Sequence, residues 1–198
     1  HKKEMRQWKC SMGKIDKMKN NILISSVGQR VVLVEIFKAT IKKLGLPSLV
    51  YGVDMNPKLA PAGYVTELCF EVCRCTDPRW VGQLLDICRQ KDIGIIIPTI
   101  DTELQVLSDN AQRFLDEGIR VVVSSQDFIR ICRDKRKTME LFDAMHIPYP
   151  KPCDKNHPVF PMFAKPYDGS LSTNLHVIRT SEDLTQEILM DEKLIFME

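Results

Sequence analysis

From Asn21 to Val123 the chain keeps switching between short apolar runs and stretches with helical spacing. Asn21-Ile22-Leu23-Ile24-Ser25-Ser26 gives way to Val31, Val34, Phe37, Ile41 and Leu44, which recur at the spacing of one helix face. Gly45 then supplies a left-handed stop. Ser48 to Val53 forms a second run, and Leu68 to Cys75 a third. Ile93-Gly94-Ile95-Ile96-Ile97-Pro98 is apolar at alternate and intervening positions alike, as in a strand covered on both faces. Parallel strands need long crossovers, and helices of this length provide them. The pattern therefore predicts a doubly wound parallel α/β sheet. It places helices over residues 31–44, from Thr76-Asp77-Pro78 onward, and over 101–117 up to Gly118. Ile119 to Val123 is read as a further strand.

The proline-rich stretch Pro148–Pro161 interrupts this rhythm. Ahead of it, Ser125 and Asp134 precede two short helical segments. Beyond it the order becomes strand, loop, strand, helix (Ser181–Met190) and strand from Leu194, a small α+β unit. The expected division is a basic extension over 1–20, an α/β domain over 21–126, and linker helices with an incomplete α+β subdomain over 127–198.

Charge separates the same regions. Residues 1–20 carry seven Lys/Arg and two acidic groups, so the remainder is net negative although the whole chain is +2. The body thus lacks the basic footprint of a nucleic-acid binder. No stretch has the length and apolarity of a membrane span or signal peptide. Seven cysteines, an odd number in apolar contexts, argue for free thiols and a cytoplasmic setting. Cys69, Cys73 and Cys75 are expected to share one strand face without metal-ligand spacing.

In an open parallel sheet, ligands gather beyond the carboxyl ends of the strands. The groups expected there are Gly28, Arg30, Asp54, Asp101 and Glu103. Gly28 is the lone glycine of its turn, short of a dinucleotide fingerprint. Asp54 is placed for a ribose hydroxyl or for a turn before Asn56-Pro57. Asp101 and Glu103 either face a substrate or include a cap for the next helix, with Asp101 or Thr102 placed for that role. Lys165 ends the apolar run Met162-Phe163-Ala164 and precedes the small polar loop Asp168-Gly169-Ser170-Leu171-Ser172-Thr173-Asn174. A strand-end cation beside such a loop suits a phosphate. Lys135, Arg136 and Lys137 begin a helix, where cations oppose the dipole and invite an anion.

Taken in order, these segments resemble the N-terminal part of an ATP-grasp enzyme. The marks are Asn21-Ile22-Leu23-Ile24-Ser25-Ser26-Val27-Gly28-Gln29-Arg30, Pro98-Thr99-Ile100-Asp101-Thr102-Glu103, Asp134-Lys135 ahead of Ile147-Pro148-Tyr149-Pro150, and Phe160 to Pro166 with the loop after it. The chain is similar to the branch holding carbamoyl phosphate synthase large subunits, biotin carboxylase and the pyrrolysine-pathway ligase. The resemblance implies ATP and Mg²⁺ as cofactors and a carboxylate–amine (or ammonia) ligase working through an acyl phosphate. It implies phosphate contacts from Lys135 and Lys165, a closing loop that includes Asp168, Gly169, Ser170 and Ser172, and an adenine-side strand at Met197 and Glu198. The family's metal ligands fall after that strand, so no metal site is expected within these residues and a piece of a longer enzyme is. A small acid and an amine are the implied partners, with a homodimer allowed for. Leu171 and Asn174 stand where the family loop is commonly glycine. A nucleotide- or metabolite-binding module without catalysis is the alternative, and an NAD(P)-dependent oxidoreductase a more distant one.

Overall fold

The computed structural model describes residues 19–170 and 172–198; the basic extension lies almost wholly outside that range, as does Leu171. The chain divides into two compact units that meet in sequence at Val123 and Ser124.

In the first unit the parallel sheet is present with strand order β3-β2-β1-β4-β5. Its strands are β1 (Asn21–Ile24), β2 (Val50–Asp54), β3 (Cys69–Glu71), β4 (Ile93–Ile97) and β5 (Arg120–Val121). All four neighbouring pairs run parallel. Side chains of β1 alternate as a strand requires. Ile22 and Ile24 pack with Val34, Phe37 and Ile41 of helix α1 (Val31–Leu44). Leu23 points to the opposite layer, against α2 (Trp80–Gln90) and Leu107 and Phe114. Gly45 caps α1 with φ 64°.

Several expected elements are shorter. The helix over 101–117 is two, α3 (Asp101–Asp109) and α4 (Ala111–Leu115), broken at Asn110, whose side-chain amide donates to the Val106 carbonyl at 2.9 Å. The helix expected from Thr76 begins only at Trp80, because the Asp77 carboxylate takes the Arg79 N–H at 2.9 Å in a local turn. The cysteine strand stops at Glu71. Cys69 packs on the α1 side of the sheet while Cys73 and Cys75 pack on the α2 side, so the three do not share a face. All six described cysteines are free.

The second unit holds helices α5 (Gln126–Arg133) and α6 (Lys135–Ala144), a three-stranded antiparallel sheet and α7 (Gln186–Met190). The strand order is β7-β6-β8, with β6 (Met162–Pro166) central between β7 (His176–Ile178) and β8 (Leu194–Met197). Met162, Ala164, Ile178, Leu194 and Phe196 form its core. Among the described residues no helix is long and apolar enough to cross a membrane.

Candidate functional site

Two recesses stand out, one in each unit. That of the second unit is built on β6. Alternation sends Met162 and Ala164 into the core and leaves Phe163 and Lys165 on the open face. The Lys165 ammonium lies 5.9 Å from the Phe163 ring centroid. Lys165 and Lys135 line a single crevice of about 410 Å³, together with Phe163, Gly169, Ser170, Ser172 and Thr173.

Helix α6 brings Lys135 there. Asp134 caps the helix by accepting the Arg136 N–H at 3.0 Å, and its carboxylate also takes the Arg136 guanidinium at 3.0 and 2.7 Å. That guanidinium holds the Asp134 carboxyl below its usual range. It also lies 3.6 Å from the Tyr167 ring centroid. Lys135 donates from its backbone N–H to the Tyr167 carbonyl at 2.8 Å and from its ammonium to the Gly169 carbonyl at 2.8 Å. Arg133 donates to the Asp168 carbonyl at 3.3 Å. A cation that opposes the helix dipole is thus answered in part by carbonyl oxygens of the loop it faces.

The remaining expected residues are spread around this crevice. Gly169, Ser170 and Ser172 line it, whereas Asp168 is exposed and does not. Met197 pairs with Phe163 across the sheet, so the two share a face, but Met197 is not in the lining. Glu198 is exposed, and its N–H is already committed to the Lys151 carbonyl at 3.1 Å. Ser172 and Asn174 both have left-handed backbones, φ 55° and 54°. Asn174 could have been foreseen, since Asn tolerates this region; Ser172 could not.

The first unit has a pocket of about 530 Å³ beyond the carboxyl ends of β1 to β4. Gly28, Arg30 and Asp54 line it, as do Ser26 and Ile100. Asp54 ties the turns together, accepting N–H groups from Gly28 at 3.0 Å and Asn56 at 2.9 Å. It thus forms the turn and faces the pocket at once. Arg30 donates to the Thr99 carbonyl at 3.3 Å. Arg74, Thr76 and Trp80 also line the pocket without a sequence signal, because Arg74 reads as strand and Thr76 and Trp80 as the start of the next helix.

Asp101 begins α3 outside the lining, and Glu103 turns fully inward. Its Oε1 accepts the N–H groups of Thr99 at 2.8 Å and Ile100 at 3.2 Å, and its Oε2 accepts the Ser26 hydroxyl at 3.0 Å. Burial pushes this carboxyl above its ordinary value, with the two N–H donors opposing. The capping expected of Asp101 or Thr102 falls instead to Glu103, because Asp101 and Thr102 already lie within the first turn of α3 and only Glu103 reaches back to the free N–H groups. Among the described residues no three His, Cys, Asp or Glu side chains are grouped to hold a metal, so magnesium chemistry has no ligand set to be derived from here.

The profile described as "PylC-like, N-terminal domain" matches residues 22–122, half of the chain. The chain belongs to that family. The PylC-like domain therefore spans the parallel sheet and its pocket. No curated protein matches the sequence. Solved structures share the fold at low identity. Biotin carboxylase from Campylobacter jejuni, determined with a β,γ-ATP compound, superposes with a TM-score of 0.63 at 13% identity over 90% of this chain and 44% of its own. The biotin carboxylase domain dimer of 2-oxoglutarate carboxylase from Hydrogenobacter thermophilus, bound to MgADP, ADP and bicarbonate, gives 0.62 at 13% over 89% and 43%. An L-amino acid ligase from Bacillus licheniformis gives 0.61 at 15% over 91% and 44%. The chain spans less than half the length of each of these proteins. The family match thus gives a PylC-like N-terminal domain, and the superpositions give a fold shared with parts of these carboxylases and ligases.

Proposed function

We propose that the chain is the N-terminal part of an ATP-dependent carboxylate–amine ligase. ATP transfers its terminal phosphoryl group to a carboxylate, giving ADP and an acyl phosphate. An amine or ammonia then attacks the acyl carbon and releases phosphate. The observation that carries the reading is the shared crevice of Lys135 and Lys165, with the hydroxyls of Ser170, Ser172 and Thr173 on its wall. Ammonium and hydroxyl donors around one space suit phosphoryl oxygens, and catalysis of phosphoryl transfer consists largely of positioning and charge neutralisation. The Gly169 carbonyl keeps Lys135 pointed along the loop, whereas Lys165 is the freer cation. Magnesium would supply further neutralisation when bound to the phosphates.

Adenine would then lie against β8 near Met197. The pocket of the first unit, with Arg30 and Asp54, is read as a substrate site. Relatives that are carboxylases and ligases support the same reading, and two of them bind adenine nucleotides.

The test is calorimetric titration of the full-length protein with ATP and, separately, with NADPH. A charge-assisted contact contributes about 1.5–3 kcal/mol, so Lys165→Ala should weaken ATP binding by about ten- to a hundredfold. Unchanged ATP affinity in that variant would remove the phosphate assignment. Binding of NADPH in place of ATP would replace the ligase by an oxidoreductase.

A further inference from the structure

The crevice loop is fastened at both ends, and the second fastening is Asn174, one of the two residues that stand in place of glycine. At its start, Lys135 and Arg133 hold the carbonyls of Gly169 and Asp168. At its end, the Asn174 amide nitrogen donates to Asp191 Oδ2 at 3.2 Å, and the Asn174 amide oxygen pairs with His176 Nε2 at 2.8 Å. His176 belongs to β7, and Asp191 follows α7 and accepts the Lys193 N–H at 2.8 Å, so both partners sit on regular structure or its caps. The Asn174 side chain therefore spans two elements while its backbone holds φ 54°.

A glycine would take that backbone more readily, yet it would leave the loop end untied. We infer that Asn174 is a positioning residue: its amide pins the loop to His176 and Asp191 so that Ser170, Ser172 and Thr173 stay on the wall of the lysine crevice. The loop works as a short strap with two fixed roots rather than as a free glycine flap. Its role toward nucleotide rests on the ligase reading above; the pinning itself does not.

A double-mutant cycle with Asp191→Ala and Asn174→Gly in the full chain decides it. Amide hydrogen exchange at Thr173, whose N–H donates to the Ser170 carbonyl at 3.3 Å, is followed without nucleotide. One hydrogen bond of ordinary strength makes the expected acceleration about three- to tenfold for Asp191→Ala in the wild-type background. In the Asn174→Gly background the same substitution should add nothing, because its partner is gone. No acceleration, or an equal one in both backgrounds, overturns the pinning. ATP affinity is then measured across the cycle. A loss on Asp191→Ala that vanishes in the Asn174→Gly background supports positioning, whereas coupling in exchange without coupling in affinity overturns it. A chain that binds no ATP at all removes the phosphate reading and the positioning role together, while the exchange cycle still reports on the pin.

Discussion

Glu103 shows how a single buried carboxyl can shape the turns beside a pocket without lining it. The carboxylate is fully enclosed and gathers two backbone N–H groups and one hydroxyl, which fixes the Thr99–Ile100 turn beside the pocket. Removing it strands those donors and opens a cavity, so Glu103→Ala should lower stability by about 2–5 kcal/mol in urea unfolding. Glu103→Gln keeps an acceptor for the turn and should cost much less. The sign with pH follows from the raised folded-state value. Folding favours the protonated acid, so this group's contribution is fully present below its ordinary value of 4.5 and is lost as pH rises through the higher folded value. Comparing unfolding free energies across pH 3–8 (about that range) should show the wild type losing stability with rising pH relative to Glu103→Gln. Parallel curves would mean that Glu103 titrates alike in both states.

At the scale of elements, α1 was legible because every local signal agreed: apolar residues at helical spacing, two lysines in the last turn and glycine after them. Nothing lies within 4 Å of a Cβ built on Gly45, so Gly45→Ala tests backbone strain alone. It should cost about 1–2 kcal/mol in urea unfolding, with Gly45→Asn in between, and equal midpoints for all three would dismiss the cap. The parallel sheet was legible for a similar reason, since β4 is apolar throughout, although one of the two faces expected to be covered leaves Ile95 exposed. The β3 boundary was not. Alternation in Cys69 to Cys75 continues in the letters, but pairing with β2 ends at Glu71 and the chain turns away into the pocket wall. Asn110 hid inside a periodic stretch, because Phe114 falls on a helical repeat whether or not the helix breaks before it. Glu103 and Asp101 share one helical turn, and only packing decides which of them faces inward. The lysine pair was readable from a cation at a strand end and another at a helix start, and again through family likeness, whereas the Asn174 pin depends on a partner seventeen residues away.

Across the whole molecule, burial is uneven. Among the described residues the first unit has core clusters of fourteen and seven buried side chains, against five in the second. Small cores give little surplus over chain entropy, so the unit carrying the lysine crevice should open more often than the unit carrying the parallel sheet. Native-state hydrogen exchange should find the amides of Asn21–Ile24 and Ile93–Ile97 outlasting those of the residues of β6 ahead of Pro166. A ligand that binds only the folded form adds about 2.7 kcal/mol at a hundred times its dissociation constant. ATP at that level should therefore slow exchange in β6 and β8 by about a hundredfold wherever exchange requires opening of their unit. If the two units open separately, β1 and β4 keep their rates. Equal slowing in both would mean that they open together or that nucleotide engages both. No slowing anywhere would place nucleotide outside this chain and take the ligase reading with it. On the ligase reading, the lower stability expected of the second unit would have a use: a strap that admits a triphosphate needs a scaffold that binding can tighten, and a core already closed to opening would leave binding little to change.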